Sequence, residues 1–419
     1  MVTIPVELIA EHLPIYLRRT DWNNLSLVNR ECQQHMTIHD NAPWPNDDFV
    51  LDVGRDVEDG VRPTQGERHE IAFLAVSPHN GGEWIACICN DGTIRLWDRR
   101  TGRRKVIPPD EDAVEEVTQV LFHPTNPNML IAFEYHGNIL VFDDIRTEPV
   151  PTHRIFPLDP DYDYPTAEVT VSPDGERMAT AATHIPSQKR HILIYSLKDD
   201  CPVLRCWNHD GDDVESLIFD PRCKNGMYLA SLQWMDCKIS IWDLENMDET
   251  ESGNGNNSHP LMNALVGFPG CPIWTMKCTA SHASGNFDND SMPLLASISH
   301  NGRTLILWDV VKKTSSKVLP LASLSPEDDT DEDFVVAHAN MNHHGNIVAA
   351  GRCDGTIELW NMDNKGLHMV TISSPKDHFQ VNDEEDPNSY ADLHFTPDCR
   401  TIIAADNLTG HIYFRFVPI

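Results

Sequence analysis

One phrase recurs through this 419-residue chain, and its spacing, 45 to 66 residues from aromatic to aromatic, constrains the fold more than any other feature. It reads Thr93-Ile94-Arg95-Leu96-Trp97-Asp98, Asn138-Ile139-Leu140-Val141-Phe142-Asp143, His191-Ile192-Leu193-Ile194-Tyr195, Lys238-Ile239-Ser240-Ile241-Trp242-Asp243, Thr304-Leu305-Ile306-Leu307-Trp308-Asp309 and Thr356-Ile357-Glu358-Leu359-Trp360-Asn361. A degenerate copy follows at His411-Ile412-Tyr413-Phe414-Arg415. Apolar residues run over a few positions and end on an aromatic, the pattern of a buried strand. One such strand cannot bury its faces alone. Copies at this interval therefore predict stacked, mutually dependent units.

The context of each copy repeats as well. An apolar-alternating run comes first and often ends in Pro, as in Ala75-Val76-Ser77-Pro78, Leu121-Phe122-His123-Pro124, Ile218-Phe219-Asp220-Pro221 and His394-Phe395-Thr396-Pro397. A run of small and branched residues follows, such as Ile85-Ala86-Cys87-Ile88-Cys89 or Leu295-Ala296-Ser297-Ile298. A turn signal (Asn90-Asp91-Gly92, Asn301-Gly302, Asp354-Gly355) then sets a tight hairpin into the aromatic-ended strand. A more polar fourth run, such as Arg104-Lys105-Val106-Ile107, completes the unit. Four strands per unit predict the blades of a β-propeller. Over residues 50–419 the grammar resembles the WD40-repeat family. The family's Gly-His dipeptide is largely missing, and Phe142, Tyr195 and Arg415 stand where Trp is usual. The expected architecture is mostly β: a seven-bladed propeller over 46–419, after a separate segment at 1–45. Phe49-Val50-Leu51-Asp52-Val53 reads as a strand and is expected to supply the outer strand of the last blade, closing the ring.

The first forty residues follow a different grammar. Leu25, Val28 and Cys32 fall at helical spacing, Asp21 is placed to cap that helix, and Pro5 suits a helical first turn. A segment this short buries little core and needs a partner or a docking surface. Ile4-Pro5-Val6-Glu7-Leu8-Ile9 and Leu25-Ser26-Leu27-Val28-Asn29-Arg30 resemble an F-box over residues 3–38, with Pro14 and Arg18-Arg19 interrupting the usual second helix. The resemblance implies a short all-α segment whose Pro5, Leu8, Ile9, Leu13, Leu17, Trp22, Leu25 and Val28 pack on a Skp-type adaptor of a cullin–RING ubiquitin ligase. The alternative is a helical cap on the propeller. A third reading takes Trp97-Asp98-Arg99-Arg100 as the Trp-Asp-x-Arg box of receptors for the cullin-4 ligase's propeller adaptor.

Charge points to the kind of partner. The chain carries 64 acidic and 32 basic residues, a net charge of −32, so a phosphate backbone is repelled and nucleic acid is not an expected partner. Close to half of the acids fall in stretches expected to connect blades, at 55–70, 107–116, 157–168, 208–215, 325–333 and 373–389. In a propeller these connections share one face, the top, with the turns between second and third strands. The candidate partner-binding residues there are Asp110, Asp112, Asp161, Asp163, Asp212, Asp213, Arg303, Asp329, Asp331, Glu384 and Glu385. An anionic top predicts a target protein with a basic segment, drawn in by electrostatic steering. Solvated loops without a partner are the alternative. Arg303, Arg95, Arg177 and Arg352 are the candidates for a phosphate-reading rim.

No catalytic grammar emerges. Cys87 and Cys89 share a strand face without a second pair at zinc spacing, so they read as buried small residues. His343-His344 reads as an exposed turn, and the acidic run 327–333 lacks the glycine and closing Glu of a calcium loop. No phosphate-cradling loop and no nucleophile elbow occurs, so no enzyme activity, cofactor or metal is expected. Eleven cysteines without framework spacing, no cation-flanked apolar leader and no long apolar run predict a cytoplasmic or nuclear protein away from membranes. The expected function is target recognition within a ubiquitin ligase complex, with a plain scaffold as the alternative.

Overall fold

The computed structural model describes 29 strands between Phe49 and Phe416, the turns at 77–80, 82–83, 90–93, 123–129, 143–147, 172–176, 185–188 and 396–400, and single residues flanking strands; residues 1–48, 53–70 and most other connections lie outside the described residues. The expected helical segment at 1–45 therefore falls outside them. No helix occurs among the described residues.

Strand β1 (Phe49–Asp52) precedes the first complete sheet. That sheet runs β2 (Ile71–Val76), β3 (Trp84–Cys89), β4 (Ile94–Asp98), β5 (Arg104–Ile107). The second runs β6 (Val117–Phe122), β7 (Leu130–Glu134), β8 (Ile139–Phe142), β9 (Arg154–Phe156). The third has five strands: β10 (Tyr162–Pro165) and β11 (Thr170–Val171) both pair with β12 (Arg177–His184), followed by β13 (Lys189–Ser196) and β14 (Val203–Asn208). The fourth is β15 (Val214–Phe219), β16 (Tyr228–Gln233), β17 (Lys238–Asp243), β18 (Leu261–Val266). The fifth is β19 (Ile273–Cys278), β20 (Leu294–Ser299), β21 (Thr304–Asp309), β22 (Thr314–Pro320). The sixth is β23 (Val336–Met341), β24 (Ile347–Arg352), β25 (Ile357–Asn361), β26 (Leu367–Ile372). The last joins β27 (Tyr390–Phe395), β28 (Thr401–Asp406) and β29 (His411–Phe416) to β1 on its outer edge.

All the strand pairings are antiparallel, between strands consecutive in the chain except for β10 with β12 and in the last sheet. The last sheet is the exception to chain order. Phe49 stands opposite Phe414 and Asp52 opposite His411, so a strand from the beginning of the chain covers the edge of β29. First strands meet first strands: β2 touches β6, β15 touches β11 and β19, β23 touches β19 and β27, and β27 touches β2. The result is a mostly β chain of antiparallel sheets, consistent with a WD40-type propeller.

The core lies in the seams between sheets. Ala86, Ile88 and Leu96 of the first sheet pack on Val120, Leu130 and Phe142 of the second. Ile131, Phe133 and Val141 of the second meet Met178, Leu193 and Tyr195 of the third. Ile85, Cys87, Cys89 and Trp97 meet Ile403, Ile412 and Phe414 across the seam between first and last sheets. Strands such as β3 and β7 are buried at every position because both faces are covered. The small residues of the second strands (Ala86, Ala132, Ala179, Ala349, Ala404, all buried) let neighbouring sheets close to this packing.

Six sheets share an irregularity. The register between first and second strands shifts after the first residue, at Ile71/Phe73, Val117/Gln119, Val214/Ser216, Ile273/Thr275, Val336/His338 and Tyr390/Asp392. One extra residue there forms a bulge, which increases local twist where the chain enters each sheet. Four sheets carry a bulge beside the aromatic of the third strand, at Tyr195, Trp242, Trp308 and Trp360.

Candidate interaction surface

The sheets present two ends. One carries the turns from first to second and from third to fourth strands. The other carries the turns from second to third strands and the entry into each first strand.

At the first end, neighbouring sheets are tied together. His79 Nε2 lies 2.9 Å from the carbonyl oxygen of His123 in the next sheet. His123 Nδ1 accepts the Asn126 N–H at 3.0 Å, so Nε2 carries the proton and donates to the carbonyl of Gly175, 2.8 Å away, in the third sheet. Burial holds this imidazole below the usual histidine range. Gly175 sits at φ 74°, and a Cβ there would run into the His123 ring. Lys105 Nζ donates to the carbonyls of Ile145 (2.6 Å) and Thr147 (2.9 Å) and lies 5.9 Å over the Trp84 ring. Arg146 reaches Glu83 at 3.4 Å. Arg99 donates to the carbonyl of Gly82, and burial lowers its pKa despite the charge of Asp398. The seams have polar ties too: the Gln119 amide donates to the Val169 carbonyl (2.9 Å) and accepts its N–H (2.7 Å).

The third strands are pinned from inside. Trp242 donates its indole N–H to Ser231 Oγ at 2.8 Å, both fully buried. Ser231 lies two residues beyond Leu229, the cross-strand partner of Trp242. Cys87 holds the same register relative to Trp97, and the Trp97 indole nitrogen has no acceptor among the described residues.

The opposite end differs most at the third sheet. Its β12 and β13 are eight residues each, against six or fewer for the corresponding strands elsewhere, and their turn at 185–188 carries Ile185, 47 % exposed. Gln188 closes that turn at φ 55°, with its N–H on the carbonyl of His184 and its amide on that of Ile185. Strand β10 flanks the extension, and the Ile185 N–H reaches the carbonyl of Asp161 at 2.8 Å. His184 and His191 stack at 4.8 Å, the Tyr162 hydroxyl contacts His191 Nδ1 at 3.1 Å, and His184 Nδ1 contacts Ser187 at 2.8 Å. Asp161 and Asp163 are exposed beside this aromatic group. An apolar tip on an aromatic base, with carboxylates alongside, offers both contact area and charge.

Of the sequence-predicted top-face residues, Asp161 and Asp163 are the described ones. Asp110, Asp112, Asp212, Asp213, Arg303, Asp329, Asp331, Glu384 and Glu385 lie outside the described residues, as do Pro5, Leu8, Ile9, Leu13, Leu17, Trp22, Leu25, Val28 and His343-His344. The stretch 157–168, expected to be a connection, contains β10, because pairing with the long β12 turns its Tyr162–Pro165 into an edge strand. Of the rim arginines, Arg95 and Arg177 are the ones whose side chains are described, and these two do not converge. Arg95 is 5 % exposed and paired to Asp91 at 2.7 Å, whereas Arg177 starts β12 at the opposite end of its sheet. Within Trp97-Asp98-Arg99, Trp97 and Asp98 are buried and Arg99 turns back on Gly82. Sequence reasoning did not single out Ile185 or His184; the clue was the length of the apolar run before the turn. No group of three or more His, Cys, Asp or Glu side chains fit for a metal occurs among the described residues.

The WD domain, G-beta repeat family matches residues 65–98, which end on the Trp97-Asp98 strand. The chain is also similar to the target of rapamycin complex subunit wat1 of Schizosaccharomyces pombe. Identity is 25 % over 192 residues, covering 43 % of this chain and 54 % of that protein. The match thus spans about half the length of the relative.

Proposed function

We propose that the seven sheets are the blades of one closed propeller, and that the protein is a non-catalytic subunit holding other proteins together in an assembly. The succession of sheet-to-sheet contacts carries this reading: it passes from the second sheet to the third through the core of Ile131, Val141, Met178 and Leu193, and it returns from β27 to β2. The WD40 match to the first sheet supports it, as does similarity to a protein named as a complex subunit. We assign partner binding to the end that carries the extended β12–β13 hairpin and the acidic connections. A basic segment fits there: Asp161 and Asp163 flank the exposed Ile185, and the chain's net charge of −32 steers cations toward it. Cytoplasm or nucleus is the proposed location.

A second reading adds the ubiquitin ligase. It rests on the F-box resemblance of residues 3–38, which makes a Skp-type adaptor the partner of the N-terminal segment and the propeller the receptor for a target. Docking on the cullin-4 adaptor through Trp97-Asp98-Arg99-Arg100 ranks below it, since Asp98 is buried and Arg99 is held against Gly82.

Affinity purification of the full chain, beside one lacking residues 1–40, tests both readings. Partners retained by both chains, and released as salt rises, support the propeller scaffold. Capture of purified Skp-type adaptor by the full chain alone supports the ligase receptor. Retention of partners by a chain with Ile185→Asp, Asp161→Asn and Asp163→Asn together would overturn the assignment of the binding end.

A further inference from the structure

Cys87 and Cys89 stand two residues apart on β3, so both side chains leave the same strand face, and their Sγ atoms are 3.6 Å apart. Both are buried in the seam between first and last sheets, against Ile71, Trp97, Ile403 and Ile412. The two thiols are also unequal. Burial, reinforced by the neighbouring Cys89, holds the Cys87 thiol well above its ordinary range. The hydrogen bond from Cys87, helped by Arg95 and Thr93, outweighs burial and draws Cys89 below that range. Cys89 ends β3 beside the exposed Asn90 and Asp91, and Cys87 lies one strand repeat deeper, the placement of an attacking and a resolving thiol.

We propose that Cys87 and Cys89 form a reversible dithiol–disulfide site that is oxidised by hydrogen peroxide. The Cys89 thiolate attacks one peroxide oxygen, the O–O bond breaks, and hydroxide leaves with Cys89 as the sulfenic acid. The Cys87 sulfur then attacks the Cys89 sulfur. The S–O bond breaks, the Cys87 proton goes to the departing hydroxyl, and water leaves as the S–S bond forms. Overall, two thiols lose two hydrogens and one peroxide becomes two waters.

Strand geometry makes the product labile. Alternate Cα atoms of an extended strand lie about 6.6–6.8 Å apart, at the upper limit of about 6.8 Å for a disulfide. The bond therefore shortens the strand locally and is readily reduced. The shortening falls opposite Ile71, where the β2–β3 register already carries a bulge, so oxidation loosens the seam to Ile403 and Ile412. Access comes from the adjoining turn. Cys89 is the last residue of β3; Asn90 and Asp91 beside it are exposed, and Arg95, opposite Cys87 across the hairpin, pairs with Asp91 at 2.7 Å. Peroxide, small and uncharged, enters when that pair opens. This site is independent of which partners the propeller binds.

The test is peroxide titration of the reduced, folded full-length chain, followed by differential alkylation and peptide mass spectrometry. Cys399, also buried and free, is the internal control. The 87–89 pair is expected to lose two hydrogens about tenfold or more faster than Cys399 is modified, with recovery on adding dithiothreitol. Cys87→Ser should leave Cys89 as a sulfenic acid trapped by dimedone, Cys89→Ser should leave Cys87 unmodified, and Asp91→Asn should speed the reaction. Circular dichroism checks that each variant is folded. Oxidation no faster than that of Cys399, or only after urea unfolds the chain, overturns the proposal.

Discussion

Replacing Ser231 by Ala removes one oxygen from the interior and nothing else. Ser231 and Trp242 are both fully buried, and the indole N–H donates to Ser231 Oγ at 2.8 Å. Without the acceptor, water cannot reach the nitrogen, and the side chain that replaces the hydroxyl cannot accept. The loss is that of a buried donor left unpaired, about 1–3 kcal/mol, rather than the smaller net value of an average hydrogen bond. The cavity contribution is minor, since no carbon is removed. A urea titration followed by circular dichroism measures the shift, and hydrogen exchange in Tyr228–Asp243 localises it to the fourth sheet. The same substitution in a Trp242→Phe background isolates the pair, because there the donor is already gone. A cost near zero, or an equal cost in both backgrounds, would refute the reasoning. The first sheet supplies the converse. Cys87 occupies the same register beside Trp97, whose indole nitrogen has no acceptor among the described residues. Cys87→Ser should therefore stabilise the first sheet by up to about 1 kcal/mol.

Two further outcomes follow from the ties between sheets, and a third from the pairing of β1 with β29. His123 is held below the ordinary histidine range by burial, so the unfolded chain takes up its proton first. Its share of stability is fully present above about pH 6.5 and is lost as pH falls toward the folded-state value, and His123→Gln should flatten that part of a urea-midpoint profile. Gly175→Ala meets both a positive φ and the His123 ring, and should destabilise by about 1–3 kcal/mol, read from the same titration. Removing residues 1–45 leaves β1 in place and should leave the sedimentation coefficient per unit mass unchanged, whereas removing 1–55 uncovers the edge of β29 and should produce association.

The third strands were legible because an apolar run closed by Trp and Asp carries its own period and its own end, and they appear as β4, β17 and β21. The tight turn at Asn90-Asp91-Gly92 was legible for a related reason: Gly92 adopts φ 76°, which few other residues tolerate. The bulges were not. Ala72, Thr118, Glu215, Trp274, Ala337 and Ala391 occupy the extra position, and no chemistry is common to them. What repeats there is geometric, set by the twist each first strand needs. Strand β10 was hidden for another reason. Asp159, Asp161 and Asp163 make its stretch look like a solvated connection, and only the extra length of β12 gives Tyr162–Pro165 something to pair with.

The contrast between the two ends bears on where function can reside. At one end, His79, His123, Gly175, Lys105, Glu83 and Arg146 commit side chains and main-chain carbonyls to bonds between sheets. To serve a partner, these groups would first have to leave such bonds, at the cost of a buried group left unpaired. At the other end, the third hairpin reaches two residues further and turns Ile185 into solvent, while its stability comes from Ile192, Ile194 and Tyr195 below. Change at the tip is thus decoupled from the core that supports it. A scaffold that must keep seven sheets in register while presenting a variable surface can place that surface at this end at the lowest cost in stability. Substitutions at Ile185, Asp161 and Asp163 should accordingly change partner binding and leave the urea midpoint within about 0.5 kcal/mol, whereas substitutions at His123 or Gly175 should do the reverse.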